Sequence, residues 1–215
     1  MTRSEALDNA AAIVAATALP VSADLEGGYG RSPQDCAATI TAAIAAGLSG
    51  ASIEDSTGDA STPIHDIGLA IERVRAAAEA AHAGGNPFML TARAENFLHG
   101  VADLKDTIRR LRAFQEAGAD VLFAPGLRSA DDIKAVTSSV DRPVNVIMGL
   151  KGVLFTVEEL SGLGVRRISV GGSLARTAYG AMLRGAREII DKGTFSYSDS
   201  AIPHGDLNAI FSRTR

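Results

Sequence analysis

Three stretches of the sequence are near copies of one another: Ala45-Ala46-Gly47 ahead of Ala51-Ser52-Ile53, Glu116-Ala117-Gly118 ahead of Val121-Leu122-Phe123, and Gly162-Leu163-Gly164 ahead of Arg167-Ile168-Ser169. Each reads as a helix stopped by glycine, a short turn and a strand. A chain that repeats this joint alternates strand with helix, and strict alternation lays the strands parallel in one sheet with helices packed against it. Two architectures answer that description, a closed (β/α) barrel and an open doubly wound sheet.

The remaining punctuation fills in the units. A first helix runs from about Ser4 to Thr17, with Leu7, Ala10, Ala11 and Val14 on one stripe. A strand over Leu19 to Glu26 follows, and Ser32, Pro33 and Asp35 open the next helix. Strand Ala51 to Asp55 leads through the polar loop Ser56 to Pro63 into a helix from about Ile64 to Ala83. Further strands are expected over 88–93, 121–126, 143–148 and 166–170, with Thr156 to Glu159 reading as a capping box and a last helix ending near Lys192. That makes six strands where a closed barrel of this type has eight. Because a helix leads with no strand before it, the expected fold is a (β/α)8 TIM-barrel type lacking its first two strand–helix units. Residues 1–192 are expected to form this single domain and 193–215 a tail, partly disordered or docked on a neighbour.

A length of 215 residues suits one such domain. A formal charge of -4 and the absence of any lysine or arginine run argue against nucleic acid as a partner. No apolar run approaches the roughly 20 residues a bilayer requires. The segment Met1 to Ala23 mimics an export signal, but Glu5 and Asp8 interrupt it and cleavage after Ala23 would cut the first strand. The single cysteine, Cys36, can make no internal disulfide, which fits a reducing compartment and a cytoplasmic location.

Both architectures bind ligands at the carboxyl ends of their strands. Those ends supply Asp24 and Glu26, Glu54 and Asp55, Arg93 and Glu95, Asn145, and Gly171-Gly172-Ser173. Alternation sends Ser22, Asp24 and Glu26 to one face of the first strand and Val21, Ala23 and Leu25 to the other. In a parallel sheet, whose faces are normally both apolar, such a polar face points to a site. Carboxylates from neighbouring strands suit a hard cation such as Mg²⁺, and Arg93 offers a fork for a carboxylate or phosphate. Gly171-Gly172 ahead of a helix could turn backbone N–H groups toward an anion. The competing reading makes Glu54 or Glu95 a structural partner of Arg93. Among the histidines, His65 alone lies where it could join the site.

These same segments carry a resemblance. Ser22-Ala23-Asp24 with Gly28-Tyr29-Gly30, Ile53-Glu54-Asp55, Thr91-Ala92-Arg93 before Phe97-Leu98, Pro143-Val144-Asn145-Val146 and Arg167-Ile168-Ser169-Val170-Gly171-Gly172 resemble the isocitrate lyase/phosphoenolpyruvate mutase superfamily over about residues 1–195. The resemblance implies a (β/α)8 barrel, usually tetrameric with a C-terminal helix exchanged between subunits. It implies Mg²⁺ or Mn²⁺ held by carboxylates at Asp24 and Glu54, with Arg93 on the substrate. It also implies cleavage or formation of a C–C or P–C bond beside an α-oxo acid, through a pyruvate enolate stabilised on the metal. The expected protein is thus a Mg²⁺-dependent lyase or mutase-like enzyme for a small α-oxo or α-hydroxy carboxylic acid, assembled as a homo-oligomer, dimer or tetramer. Its expected metal ligands are Asp24, Glu54 and Glu26. Arg93 and Glu54 are the expected catalytic residues, and Ser22, Tyr29, Arg93, Asn145, Gly171 and Gly172 the expected substrate contacts.

The sequence departs from the family pattern in three places. The family's first metal-site aspartate falls at Ser22, with Glu26 placed by parity to substitute. The lyases' Lys-Lys-Cys-Gly-His loop is replaced by Ser56-Thr57-Gly58-Asp59-Ala60-Ser61-Thr62, which argues against isocitrate or methylisocitrate cleavage. The Ser-Gly loop that grips the oxo-acid end has no counterpart. Two other readings are a non-catalytic truncated barrel that binds small anions or nothing, and a phosphate-binding barrel enzyme of another pathway anchored at Gly171-Gly172.

Overall fold

The computed structural model of the chain describes residues 1–85 and 87–212. Its elements run α1 (Arg3–Ala15), β1 (Ser22–Asp24), α2 (Pro33–Ala45), β2 (Gly50–Glu54), α3 (Ile67–His82), β3 (Met89–Arg93), α4 (Leu104–Glu116), β4 (Val121–Phe123), α5 (Ala130–Thr137), β5 (Val144–Ile147), α6 (Val157–Gly162), β6 (Arg167–Ser169), α7 (Ser173–Lys192) and α8 (His204–Ser212). All six strands are parallel and lie in sequence order, β1 to β6. This is an α/β fold of partial TIM-barrel type. No described helix is long and apolar enough to cross a membrane.

The chain divides into two compact units, Met1–Met148 with Val153–Ser169, and Gly149–Gly152 with Val170–Arg215. In the first unit one sheet face is apolar: Ala51, Ile53, Leu90, Ala92, Leu122, Val144 and Val146 are buried there. The matching helix stripes supply Ile40 and Ala43 from α2, Val74 and Ala77 from α3, Leu111 and Phe114 from α4, and Ile133 and Val136 from α5. The other face carries Ser22, Thr91, Val121 and Arg167, which border one cavity of about 500 Å³ although they come from β1, β3, β4 and β6. The sheet therefore curls about this second face.

The three repeated joints share one device. After α2, α4 and α6 the chain turns left-handed at Gly47, Gly118 and Gly164 (φ 85°, 106° and 90°). The next amides, of Leu48, Ala119 and Val165, then donate back to the carbonyls of Ala43, Phe114 and Leu160. This 6→1 closure satisfies carbonyls that a helix end otherwise leaves open. It aims the following strand into the sheet.

Two expected elements are shortened for identifiable reasons. The strand expected over Leu19–Glu26 reduces to Ser22–Asp24, and Glu26 already lies at φ 51°. The helix expected from Ile64 starts at Ile67, because Ile64 forms an antiparallel bridge to Ser56 and Asp66 takes the cap, accepting from the Gly68 amide.

Beneath the strand ends, the guanidinium of Arg110 on α4 donates to Asp106 (2.7 Å), to Asp55 (3.1 Å) and to the His65 carbonyl (3.0 Å). Burial raises the pKa of Asp106, but hydrogen bonds from Arg110, Arg109 and Asn96 outweigh it and bring the group down to about 2. A carboxyl depressed on folding stabilises the native state above its unfolded pKa and loses that contribution as pH falls through its folded value. Acid unfolding followed by circular dichroism is therefore expected to shift less between pH 3.8 and about 2 in Asp106→Asn than in the parent. Equal shifts would remove Asp106 from the acid response.

In the second unit α7 runs into a 3-10 turn, Ser196–Ser200, before α8. The Glu188 carboxylate accepts from Thr194 Oγ1 (2.7 Å), the Ser196 amide and hydroxyl (2.6 and 2.8 Å) and the Tyr197 amide (3.1 Å), so one side chain fixes the turn against its helix.

Candidate functional site

The polar groups at the exits of β1, β2 and β3 converge. Asp24 ends β1, and its Oδ1 accepts from the Glu26 amide (3.1 Å) and from the Ser52 hydroxyl of β2 (3.2 Å). Glu54 ends β2, its amide donating to the Glu26 carbonyl at 3.0 Å. One carboxylate oxygen from each of Asp24, Glu26 and Glu54 lies within 4.8 Å of the others. Glu26 reaches this cluster through its left-handed backbone, two residues beyond the last strand residue.

Arg93, at the end of β3, is the cation of this group. Its Nε donates to Glu95 at 2.8 Å, one terminal nitrogen lies 3.2 Å from Glu54, and the other pairs with Asp24. The guanidinium also sits over the Phe123 ring of β4, 5.3 Å from its centroid. Arg93 makes the ion pairs of the competing reading, with Glu54 and Glu95, and also borders the acidic cluster. Burial lowers the pKa of Arg93, but Glu95, Asp24 and Glu54 more than restore it, so it stays charged. Burial likewise pushes Glu54 up, to about 7, against the pull of Arg93 and with repulsion from Glu95, Glu26 and Asp24.

A cavity of about 480 Å³ opens beside the cluster, lined by Glu26, Glu54, Tyr29, Ser56, Thr57 and His65 among others. Tyr29 is also left-handed (φ 57°), and its buried hydroxyl has no hydrogen-bond partner among the described residues. Burial, then the charges of Glu26 and Asp24, raise its pKa. Burial and the positive charges of Arg73, Arg31 and Arg110 lower that of His65. The wall formed by the loop after β2 is braced by its own bonds. The Thr57 amide donates to the Pro63 carbonyl (2.9 Å), the Thr57 hydroxyl to the Thr62 carbonyl (2.5 Å), and Asp59 accepts from the Ser61 amide (2.8 Å) and hydroxyl (2.7 Å).

The other expected contacts are distributed more widely. Asn145 is buried on β5, where its amide nitrogen donates to the Ser169 hydroxyl (3.0 Å) and its carbonyl oxygen has no partner among the described residues. Ser22 borders the 500 Å³ cavity at the opposite strand ends. Gly171 and Gly172 belong to the second unit, where Gly172 precedes α7 without a side-chain cap. Asp55, collected with Glu54 as a strand-end carboxylate, is buried against Arg110 and accepts from the Glu95 amide (2.8 Å), a structural position.

The donor set fits a divalent cation. Three convergent carboxylates are hard oxygen ligands of the kind Mg²⁺ and Mn²⁺ take. Together with Glu95 they outnumber the one guanidinium among them, which leaves negative charge for a cation to neutralise.

The chain is similar in sequence and fold to known proteins. The family profile of phosphoenolpyruvate phosphomutase matches residues 1–190. A solved structure from Burkholderia cenocepacia J2315, assigned to the lyase/mutase type, is 54% identical; the match covers 98% of this chain and 76% of that one, with a TM-score of 0.95. Oxaloacetate acetylhydrolase, solved with its product oxalate, is 27% identical over 95% of this chain and 70% of that one, with a TM-score of 0.81. An oxaloacetate decarboxylase of Bradyrhizobium diazoefficiens is 30% identical over 156 residues, 70% of this chain and 52% of that protein, so the chain spans about half of that relative's length.

Proposed function

Because the chain belongs to the isocitrate lyase/phosphoenolpyruvate mutase superfamily, a group of lyases and mutases, we propose that it is a Mg²⁺- or Mn²⁺-dependent enzyme acting on a small α-oxo or α-hydroxy carboxylic acid. The reaction is cleavage or formation of the C–C or P–C bond next to the oxo carbon. The observation that carries this reading is the convergence of Asp24, Glu26 and Glu54 within 4.8 Å beside a charged Arg93.

Asp24, Glu26 and Glu54 would hold the cation, which when bound supplies Lewis-acid charge. Arg93, fixed through Nε by Glu95 and from below by Phe123, presents its terminal nitrogens where a substrate oxygen gains negative charge as the bond breaks. Glu54 pairs with Arg93 and also belongs to the acidic cluster, so it would hold the guanidinium beside a bound cation. Tyr29 lines the cavity, and its buried hydroxyl, without a partner among the described residues, would turn to donate a hydrogen bond to substrate. Asn145, in register with Arg93 across β4 and with a carbonyl oxygen unused among the described residues, would accept from a substrate hydroxyl. Names of the relatives favour oxaloacetate or a similar dicarboxylate.

The test is Mn²⁺ binding read by loss of the free-ion electron paramagnetic resonance signal, beside turnover of α-oxo and α-hydroxy acids with Mg²⁺. Asp24→Asn with Glu54→Gln is expected to weaken Mn²⁺ by more than about 100-fold, since even outer-shell changes weaken metal sites by about 10- to 100-fold. A parent that binds no Mn²⁺, or a double variant that binds as the parent does, would defeat the reading.

The six strands are read here as six of the eight positions of a closed barrel. Among the described residues β1 and β6 each pair on one side only, and open parallel edges favour association, so the protein is expected to self-associate. Light scattering at micromolar concentration that returns the monomer mass would refute this. With a buried, unpaired Cys36, we assign it to the cytoplasm.

A further inference from the structure

We propose that Arg73 is a positioning residue of this site: from α3 it grips the glycine turn after β1, and that grip sets Glu26 and Tyr29 into the cavity that Glu54 borders. Arg73 lies on the buried stripe of α3, between Ala70 and the run Val74, Ala77, Ala78 and Ala81, and is only 1% exposed. Among the described residues it makes no ion pair with any carboxylate. A buried guanidinium without a counter-charge destabilises a fold unless polar groups replace its water.

The replacements here are main-chain carbonyls of the turn. One terminal nitrogen donates to the Gly30 carbonyl at 2.8 Å and the other to the Gly27 carbonyl. Between them the Thr39 hydroxyl of α2 donates to the Gly28 carbonyl at 2.8 Å. The two carbonyls gripped by Arg73 belong to the residues immediately after Glu26 and Tyr29. Those are the chain's non-glycine residues with positive φ, at 51° and 57° among the described positions. A side chain holds that conformation only when its surroundings over-determine it. Arg73 thus fixes, from behind, the carbonyl of the residue that follows each strained residue, while the side chains of Glu26 and Tyr29 line the cavity in front.

The inference rests on Glu26 serving a cation, and its test separates the two claims. Mn²⁺ affinity is measured on the parent, Arg73→Met, Arg73→Lys and Val74→Ala, with the thermal midpoint of each. Val74→Ala opens a cavity on the same helix and removes none of the hydrogen bonds that Arg73 and Thr39 give the turn. Arg73→Met is expected to weaken Mn²⁺ by about 10- to 100-fold, the range seen when a ligand loses its support. Arg73→Lys should recover part of the loss, because one ammonium lacks the fork that spans two carbonyls. Val74→Ala should lose stability and keep its affinity. Parental affinity in Arg73→Met would overturn the positioning role, and so would an equal loss in Val74→Ala. Should Arg73→Met fail to fold, Arg73→Lys decides on the same readout. A parent that takes up no Mn²⁺ would instead remove the cation reading on which the inference rests, and the inference with it.

Discussion

Arg110→Met is expected to lower the free energy of unfolding by about 3–5 kcal/mol, the range for breaking one side of a buried ion pair. The loss is large because Arg110 has two carboxylate partners, and Asp55 is almost wholly buried against it. Burial already pushes the pKa of Asp55 up, with the Glu95 amide and Arg110 holding against that push. Without the guanidinium, one backbone donor remains to stabilise a charge at the base of the site. The measurement is urea unfolding of Arg110→Met, Asp55→Asn and the double variant. The double variant should regain much of the loss, because a neutral amide beside methionine leaves no stranded charge. Additive losses would show that Arg110 acts by packing its stem.

Arg93→Lys is expected to cut turnover by about 100- to 1,000-fold, the effect of removing one preorganised donor from a developing charge. A lysine carries the charge but not the geometry: the guanidinium reaches Asp24, Glu54 and Glu95 from three nitrogens while lying over Phe123. Ground-state binding should suffer less than turnover, so steady-state kinetics should show the fall mainly in kcat. A parental kcat with only a raised KM would make Arg93 a uniform binding group instead.

The alternation of helix and strand, the glycine-stopped helices and the carboxylates at the strand ends were legible because each obeys local geometry. Asp24, Glu54 and Arg93 end their strands on one face, as a period of two requires. Glu26 reached the same cluster by a different route, since β1 stops at Asp24 and a left-handed turn carries Glu26 back. Asp55 was legible only as an acid near a strand end. Its partner Arg110 lies 55 positions further on, and no local pattern joins the two. Arg73 and Arg110 share a signal that could have found them. Each interrupts an apolar helical stripe, Arg73 beside Val74 and Ala77, Arg110 beside Leu111 and Phe114, and a charge at such a position must find polar partners inside the fold. Which partners it finds is tertiary information.

The self-bonded loop from Ser56 to Pro63 bears on how a ligand would enter. A gate that must freeze around its ligand spends part of the binding free energy on its own immobilisation. Here the Thr57 and Asp59 bonds tie that segment to itself, so admission and release need not wait for it to rearrange. Discrimination among candidate acids would then fall to the fixed width of the vestibule and its standing charge, with shape set in advance of arrival.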